Sequence, residues 1–229
     1  MVISNNNANR SRGGIAFKCN FCDGGRGNGE FGFNGVCSND NIHYNIYTAK
    51  RRWCSESACS RYIKREIEYE QLSQEKFLCY ESTLLVDWRM RAGIDIENDS
   101  KRRIKGAKVG GLCVLTTLER YAAEKDRKVF ALFLIDDCSV GDRNSEGYVA
   151  SSSENRLKFS IDEKQNFNYW DFYQTSNSTA DSWRSGLFRY LTNQQSLQIL
   201  ENAVNVKTNT ADSTLAKAML DRFKSGYSQ

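Results

Sequence analysis

The sequence predicts an α+β protein: a small curled β-sheet approaching a barrel, flanked by helices, with a zinc-bound β element at its N-terminus. Three observations carry that expectation. Five of the eight cysteines crowd into the first 59 of 229 residues, four strand-like runs follow one another later in the chain, and the last third ends in two helical patterns. The division this suggests is a flexible N-terminus over 1–14, a cysteine-rich element over 15–72, and a sheet with its helices over 73–229.

The N-terminal "MVISNNNANRSRGG" is polar where a secretory leader needs an apolar stretch, and no apolar run approaches the roughly 20 residues that span a bilayer. A cytoplasmic, reducing location is therefore expected, where clustered cysteines bind metal more often than they pair. "FKCNFC" sets Cys19 and Cys22 at a two-residue spacing before a glycine-rich turn, "GVCS" adds Cys37, and "RRWCSESACSRY" adds Cys54 and Cys59. A closed tetrahedral zinc site needs four thiolates, so four of these five are expected to hold a structural zinc. Unpaired thiols, disulfides or another cluster are the competing readings. Cys79 and Cys113 lie in apolar patterns and read as small buried hydrophobes.

The single histidine, His43, sits in "NDNIHYNIYT", whose alternation reads as a strand with a surface histidine. One histidine excludes HNH-type and HExxH-type chemistry. "QEKFLCYESTLLVDWRMRAG" reads as a helix carrying Phe77, Leu84, Leu85 and Trp88 on one side and stopping at Gly93.

Net charge is a modest +4, but Lys101, Arg102, Arg103, Lys105 and Lys108 form an acid-free window, and Arg51 and Arg52 flank the cysteines. Such residues attract phosphates; the plainer reading is a charged loop before a strand. Then "VGGLCVLTTL", "RKVFALFLIDDC", "GYVASSS" and "RLKFSI" read as four strands without a crossover helix, hence the curled sheet. Asp136 and Asp137 end the second run, as turn caps or cation ligands. "NFNYWDFY" and "DSWRSGLFRYL" supply Tyr169, Trp170 and Trp183, which close a core or line a slot for a base. "NQQSLQILENAV" and "DSTLAKAMLDRF" are helices, the second with apolar Leu215, Met219, Leu220 and Phe223.

The strands "GGLCVLTT" and "KVFALFLIDD" followed by the aromatic segment, over about residues 105 to 175, resemble a PUA-like barrel of the EVE or YTH type. That resemblance implies a concave face holding a flipped, often modified, base, and a role in modification-dependent restriction systems. It leads to the expectation of a DNA-binding module with a structural zinc. Arg51, Arg52, Lys101, Arg102, Arg103 and Lys105 would meet the backbone of nucleic acid, expected to be double-stranded DNA. Trp88, Tyr169, Trp170 and Trp183 would contact the base. Two alternatives stand beside it: a Mg²⁺-dependent nuclease using Glu81, Asp87, Asp95, Glu97 or Asp136, and a zinc-stabilised protein-interaction domain. No catalytic residue is assigned.

Overall fold

The computed structural model describes residues 12–24, 32–75, 78–95, 98–173, 183 and 186–226. Residues 1–11 of the expected flexible N-terminus lie outside them, as do Phe77 and Glu97. The chain opens with strand β1 (Arg12–Cys19), then passes through short helices α1 (Asn39–His43), α2 (Arg52–Glu56), α3 (Ala58–Ile63), α4 (Tyr69–Gln74) and α5 (Tyr80–Asp87). Strands β2 (Arg89–Arg91), β3 (Ile94–Asp95), β4 (Ser100–Lys101), β5 (Leu112–Thr117), β6 (Lys128–Leu134), β7 (Asp137–Ser139), β8 (Tyr148–Ala150) and β9 (Arg156–Lys158) follow. Helix α6 (Ile161–Gln165), strand β10 (Phe188–Thr192) and helices α7 (Asn193–Val206) and α8 (Ser213–Ser225) complete it.

The barrel expectation fails, and the reason is one strand. The "GYVASSS" run forms β8, which pairs with the preceding short strand β7 and with β2 in a separate three-stranded sheet, apart from β5, β6 and β9. The other three runs join β1 and β10 in an open five-stranded sheet of order β10-β1-β5-β6-β9. Its outer strands, β10 and β9, do not meet, so neither sheet curls shut. β1 lies parallel to β5, with Ile15 opposite Cys113 and Phe17 opposite Leu115, and β10 runs antiparallel along its other side. A parallel pair needs a long crossover, and here α1–α5 with β2, β3 and β4 supply it.

Both faces of the large sheet are covered, which explains why all six residues of β5 are buried. Ala16, Leu112, Val114 and Leu191 face one core, closed by Ile199, Leu200 and Ala203 of α7 and Ala216, Met219 and Phe223 of α8. Ile15, Phe17, Cys113, Leu115 and Phe133 face a second core with Leu84, Trp88 and Val149. β10 runs directly into α7: Thr192 caps the helix by accepting from the Gln195 amide, while the Gln195 side chain accepts from the Thr192 amide.

The expected N-terminal β element is mostly helical beyond β1. Residues 39–48, read as a strand from alternation, form α1 continued by a π-helical turn (Tyr44–Thr48). Ser38 caps it, accepting from the Asn41 amide. The helix expected to stop at Gly93 already ends at Asp87: Trp88 adopts the left-handed conformation, φ 47°, and turns the chain into β2 over Arg89–Arg91. Among the described residues no helix is long and apolar enough to cross a membrane.

Candidate functional site: a cationic aromatic cluster and a thiol-lined cavity

The end of β1 feeds two unusual places, one on each side of the sheet. Going into β1's last turn, Lys18 alternates with Phe17 and Cys19 and so points to the α7–α8 side. There it meets Arg127, just before β6, and Arg189, opposite Ala16 on β10. Burial is the main reason its ammonium loses protons more readily than usual, and Arg127, Arg51 and Arg189 push the same way against Glu124.

Arg127 is 1% exposed. Its Nε donates to Glu124 Oε1 at 2.6 Å and its Nη2 to Oε2 at 3.0 Å, but among the described residues Nη1 has no hydrogen-bond partner. Arg189 donates through Nη2 to the Trp183 carbonyl, while its buried Nε is unpartnered. The two guanidinium carbons lie 5.2 and 5.6 Å from the centroid of the Trp183 indole. Tyr173 stacks on Tyr169 at 5.4 Å, and Tyr169 is 5.2 Å from Trp183. The Tyr169 hydroxyl is buried without a partner among the described residues, and burial raises its pKa strongly. A buried polar group left unpaired costs about 1–3 kcal/mol, more for a charged one. This cluster carries several.

On the other side, "Asn20-Phe21-Cys22" leaves β1 and enters a cavity of about 40 Å³ lined by Cys22, Cys37, Cys54, Cys59, Cys79 and Trp53, among others. Glycine makes the approach possible: a β-carbon at Gly24 would collide with Gly35, and one at Gly32 with the Cys22 carbonyl. The Cys22 and Cys37 sulfurs are 3.6 Å apart. Asn41 Nδ2 donates to Cys37 Sγ at 3.3 Å, while Cys22 Sγ donates to the Gly35 carbonyl at 3.9 Å. The Cys22 thiol is the largest cause lowering the Cys37 pKa, with Asn41 acting the same way against burial, while the contact with Cys37 and burial raise that of Cys22. Burial pushes Cys54 up to about 12 and raises Cys59 and Cys79 as well.

The zinc expectation is therefore corrected. Four of the five candidates, Cys22, Cys37, Cys54 and Cys59, reach one cavity, joined by Cys79, which the sequence reading had put in apolar core. Cys19 instead packs in the second core beneath the sheet. Yet among the described residues no group of three or more His, Cys, Asp or Glu side chains could hold a metal ion. Thiolates must converge on one centre to bind zinc; here the Cys22 and Cys37 sulfurs are 3.6 Å apart, and among the described residues no third ligand completes a site with them.

Chain comparisons add nothing to this geometry. No family model, curated protein or solved structure matches the chain.

The remaining candidates disperse. Trp88 packs edge-on against Phe133 in the second core, away from Tyr169, Trp170 and Trp183, which share the first. Arg51 acts on Lys18, whereas Arg52 is held by Glu56 at 2.6 Å. Lys101 and Arg102 border the small β3–β4 hairpin, with Arg102 3.8 Å from Asp95; Arg103 and Lys105 are exposed beyond it. The nuclease carboxylates do not assemble either. Glu81 accepts from the Asn20 amide, Asp87 is exposed at the end of α5, and Asp136 accepts from the Ser152 and Ser153 amides. The zinc-held DNA reader, the Mg²⁺ nuclease and the zinc-stabilised interaction domain all lose the metal geometry they require, and the restriction-system role loses its support with them. His43 lies exposed on α1, 4.6 Å from the Tyr47 ring. Sequence reasoning missed Lys18, Arg127 and Arg189, since isolated cations on separate strands carry no local signal.

Proposed function

We propose that this chain binds a small anionic ligand bearing a flat ring, at the end of the five-stranded sheet formed by Lys18, Arg127, Arg189, Tyr173 and Trp183. The observation that carries the reading is the idle Nη1 of a guanidinium that is 1% exposed. Arginine stays charged in proteins, so that nitrogen keeps its demand for an acceptor. A phosphate or carboxylate oxygen answers it, and Arg189 Nε and Lys18 offer two further donors. Arg127, Arg51 and Arg189 all act on Lys18 against Glu124, which favours a ligand of net negative charge. Tyr173, partly exposed and backed by buried Tyr169 and Trp183, supplies a ring beside those donors, suited to a planar group.

Adenosine monophosphate, adenosine and inorganic phosphate, titrated calorimetrically into the full chain, separate the two halves of the reading. The monophosphate is expected to bind at least tenfold more tightly than either half alone, and Arg189→Gln to lose that advantage. Equal, weak binding of all three would overturn the reading. So would preference for a DNA duplex that weakens steeply with salt and ignores Arg189→Gln.

A further inference from the structure

The thiol pair is independent of the cationic cluster and lies across the sheet from it. We propose that Cys37 and Cys22 form a peroxide-reactive dithiol, Cys37 being the attacking sulfur and Cys22 the resolving one. Four observations carry this. The two sulfurs are 3.6 Å apart, so closing to a bonded distance of about 2.05 Å needs a shift that side-chain rotation can supply. Cys37 accepts a hydrogen bond from Asn41 Nδ2, which stabilises a thiolate there, while Cys22 donates to the Gly35 carbonyl and so retains its proton. The nearby Asp23 carboxylate is occupied, accepting from the Ser38 amide at 2.8 Å and from its hydroxyl. Finally, both sulfurs line a cavity of about 40 Å³, more than the roughly 10–15 Å³ that one water needs, so a molecule as small as hydrogen peroxide fits beside them.

The chemistry balances with a hydroperoxide as the oxidant. The Cys37 thiolate attacks one peroxide oxygen; the O–O bond breaks, hydroxide leaves and takes up a proton to become water, and Cys37 becomes a sulfenic acid. The Cys22 sulfur then attacks the Cys37 sulfur, the S–O bond breaks, and the Cys22 proton leaves with the hydroxyl as a second water. Two thiols lose two electrons and the peroxide gains them. Cys54, Cys59 and Cys79 line the same cavity as thiols and take no part.

The test uses the full reduced chain, hydrogen peroxide as probe, and peptide mass mapping after alkylation. The expected result is loss of two thiols of the eight, a single Cys22–Cys37 linkage, reversal by dithiothreitol, and a rate at least tenfold above that of free cysteine. Cys22→Ser should stop at a Cys37 sulfenic acid that dimedone traps, and Cys37→Ser should remove the fast phase. Because Cys37→Ser disturbs a buried pair and can impair folding, the wild-type rate and the Cys22→Ser trapping decide without it. Oxidation spread over Cys54, Cys79 and Cys138, a linkage other than Cys22–Cys37, or a rate no faster than free cysteine would each overturn the proposal.

Discussion

Arg127 and Trp183, 56 positions apart in the chain, meet as cation and ring: the guanidinium carbon stands 5.2 Å from the indole centroid, and both side chains are almost wholly buried. The contact joins the entry to β6 with the segment before β10, and it holds Arg127 with one nitrogen uncommitted. Replacing Arg127 by methionine leaves Glu124 without its bidentate partner in a partly buried place. Loss of about 3 kcal/mol is expected, the usual cost of removing one member of a buried pair. Urea denaturation measures it.

Lys18 stands in a costlier position than an ordinary lysine. Its folded pKa is lowered, chiefly by burial, so the unfolded chain binds more protons in the alkaline range between the folded and unfolded values. Within that window stability gained from relieving Lys18 rises with pH; below it the charged lysine weighs fully against folding. Lys18→Met should therefore raise Tm at neutral pH while weakening anion binding at least fivefold. Thermal melts and calorimetry on the same preparation show whether both changes occur together.

Trp88 serves as the control for Trp183. It covers Phe133 at 6.1 Å and Arg156 lies over its ring at 5.6 Å, all on the opposite side of the sheet from Arg127. Trp88→Ala should cost about 3–5 kcal/mol through lost packing, the range for large-to-small core changes. Ligand affinity of the folded fraction should not change, whereas Trp183→Phe should lower it severalfold. Affinity measured on both variants distinguishes the two tryptophans.

Asp136 holds the turn after β8 by accepting from the Ser152 and Ser153 amides at 3.0 and 2.9 Å and from the Ser151 hydroxyl at 3.3 Å. Those hydrogen bonds outweigh desolvation and lower its pKa. A lowered folded pKa gives stability that is present above the unfolded value, near 3.9, and is lost as pH falls through the folded one. Asp136→Asn should destabilise at neutral pH and approach wild type in strong acid. Denaturation at a series of pH values checks the crossover, and added chelator should leave the wild-type curve unmoved.

How much of this was legible follows from range. β5 and β6 announce themselves as apolar, β-branched and aromatic runs, and α7 and α8 as amphipathic periods, because each signal lies within one element. The partner of β1 could not be read: "GGIAFKC" pairs in parallel with residues 98 positions later, and parallel pairing leaves no turn between the two. The alternation in "NIHYNIYT" is shared by a strand and by a short helix continued by a π turn, and Ser38 with its cap decided for the helix. In the cysteines, grouping was legible from spacing, but which sulfurs approach one another depends on glycine contacts between Gly24, Gly32 and Gly35. The cationic cluster gathers one residue each from β1, the start of β6 and β10, so nothing local could mark it.

A crystal structure of the full chain grown with adenosine monophosphate tests the central claim most directly. The account predicts a phosphate oxygen within hydrogen-bonding distance, about 3.2 Å or less, of Arg127 Nη1 and Arg189 Nε, with the base against Tyr173 or Trp183. A phosphate bound instead among Lys101, Arg103 and Lys105, with Arg127 Nη1 still unpartnered, would contradict it.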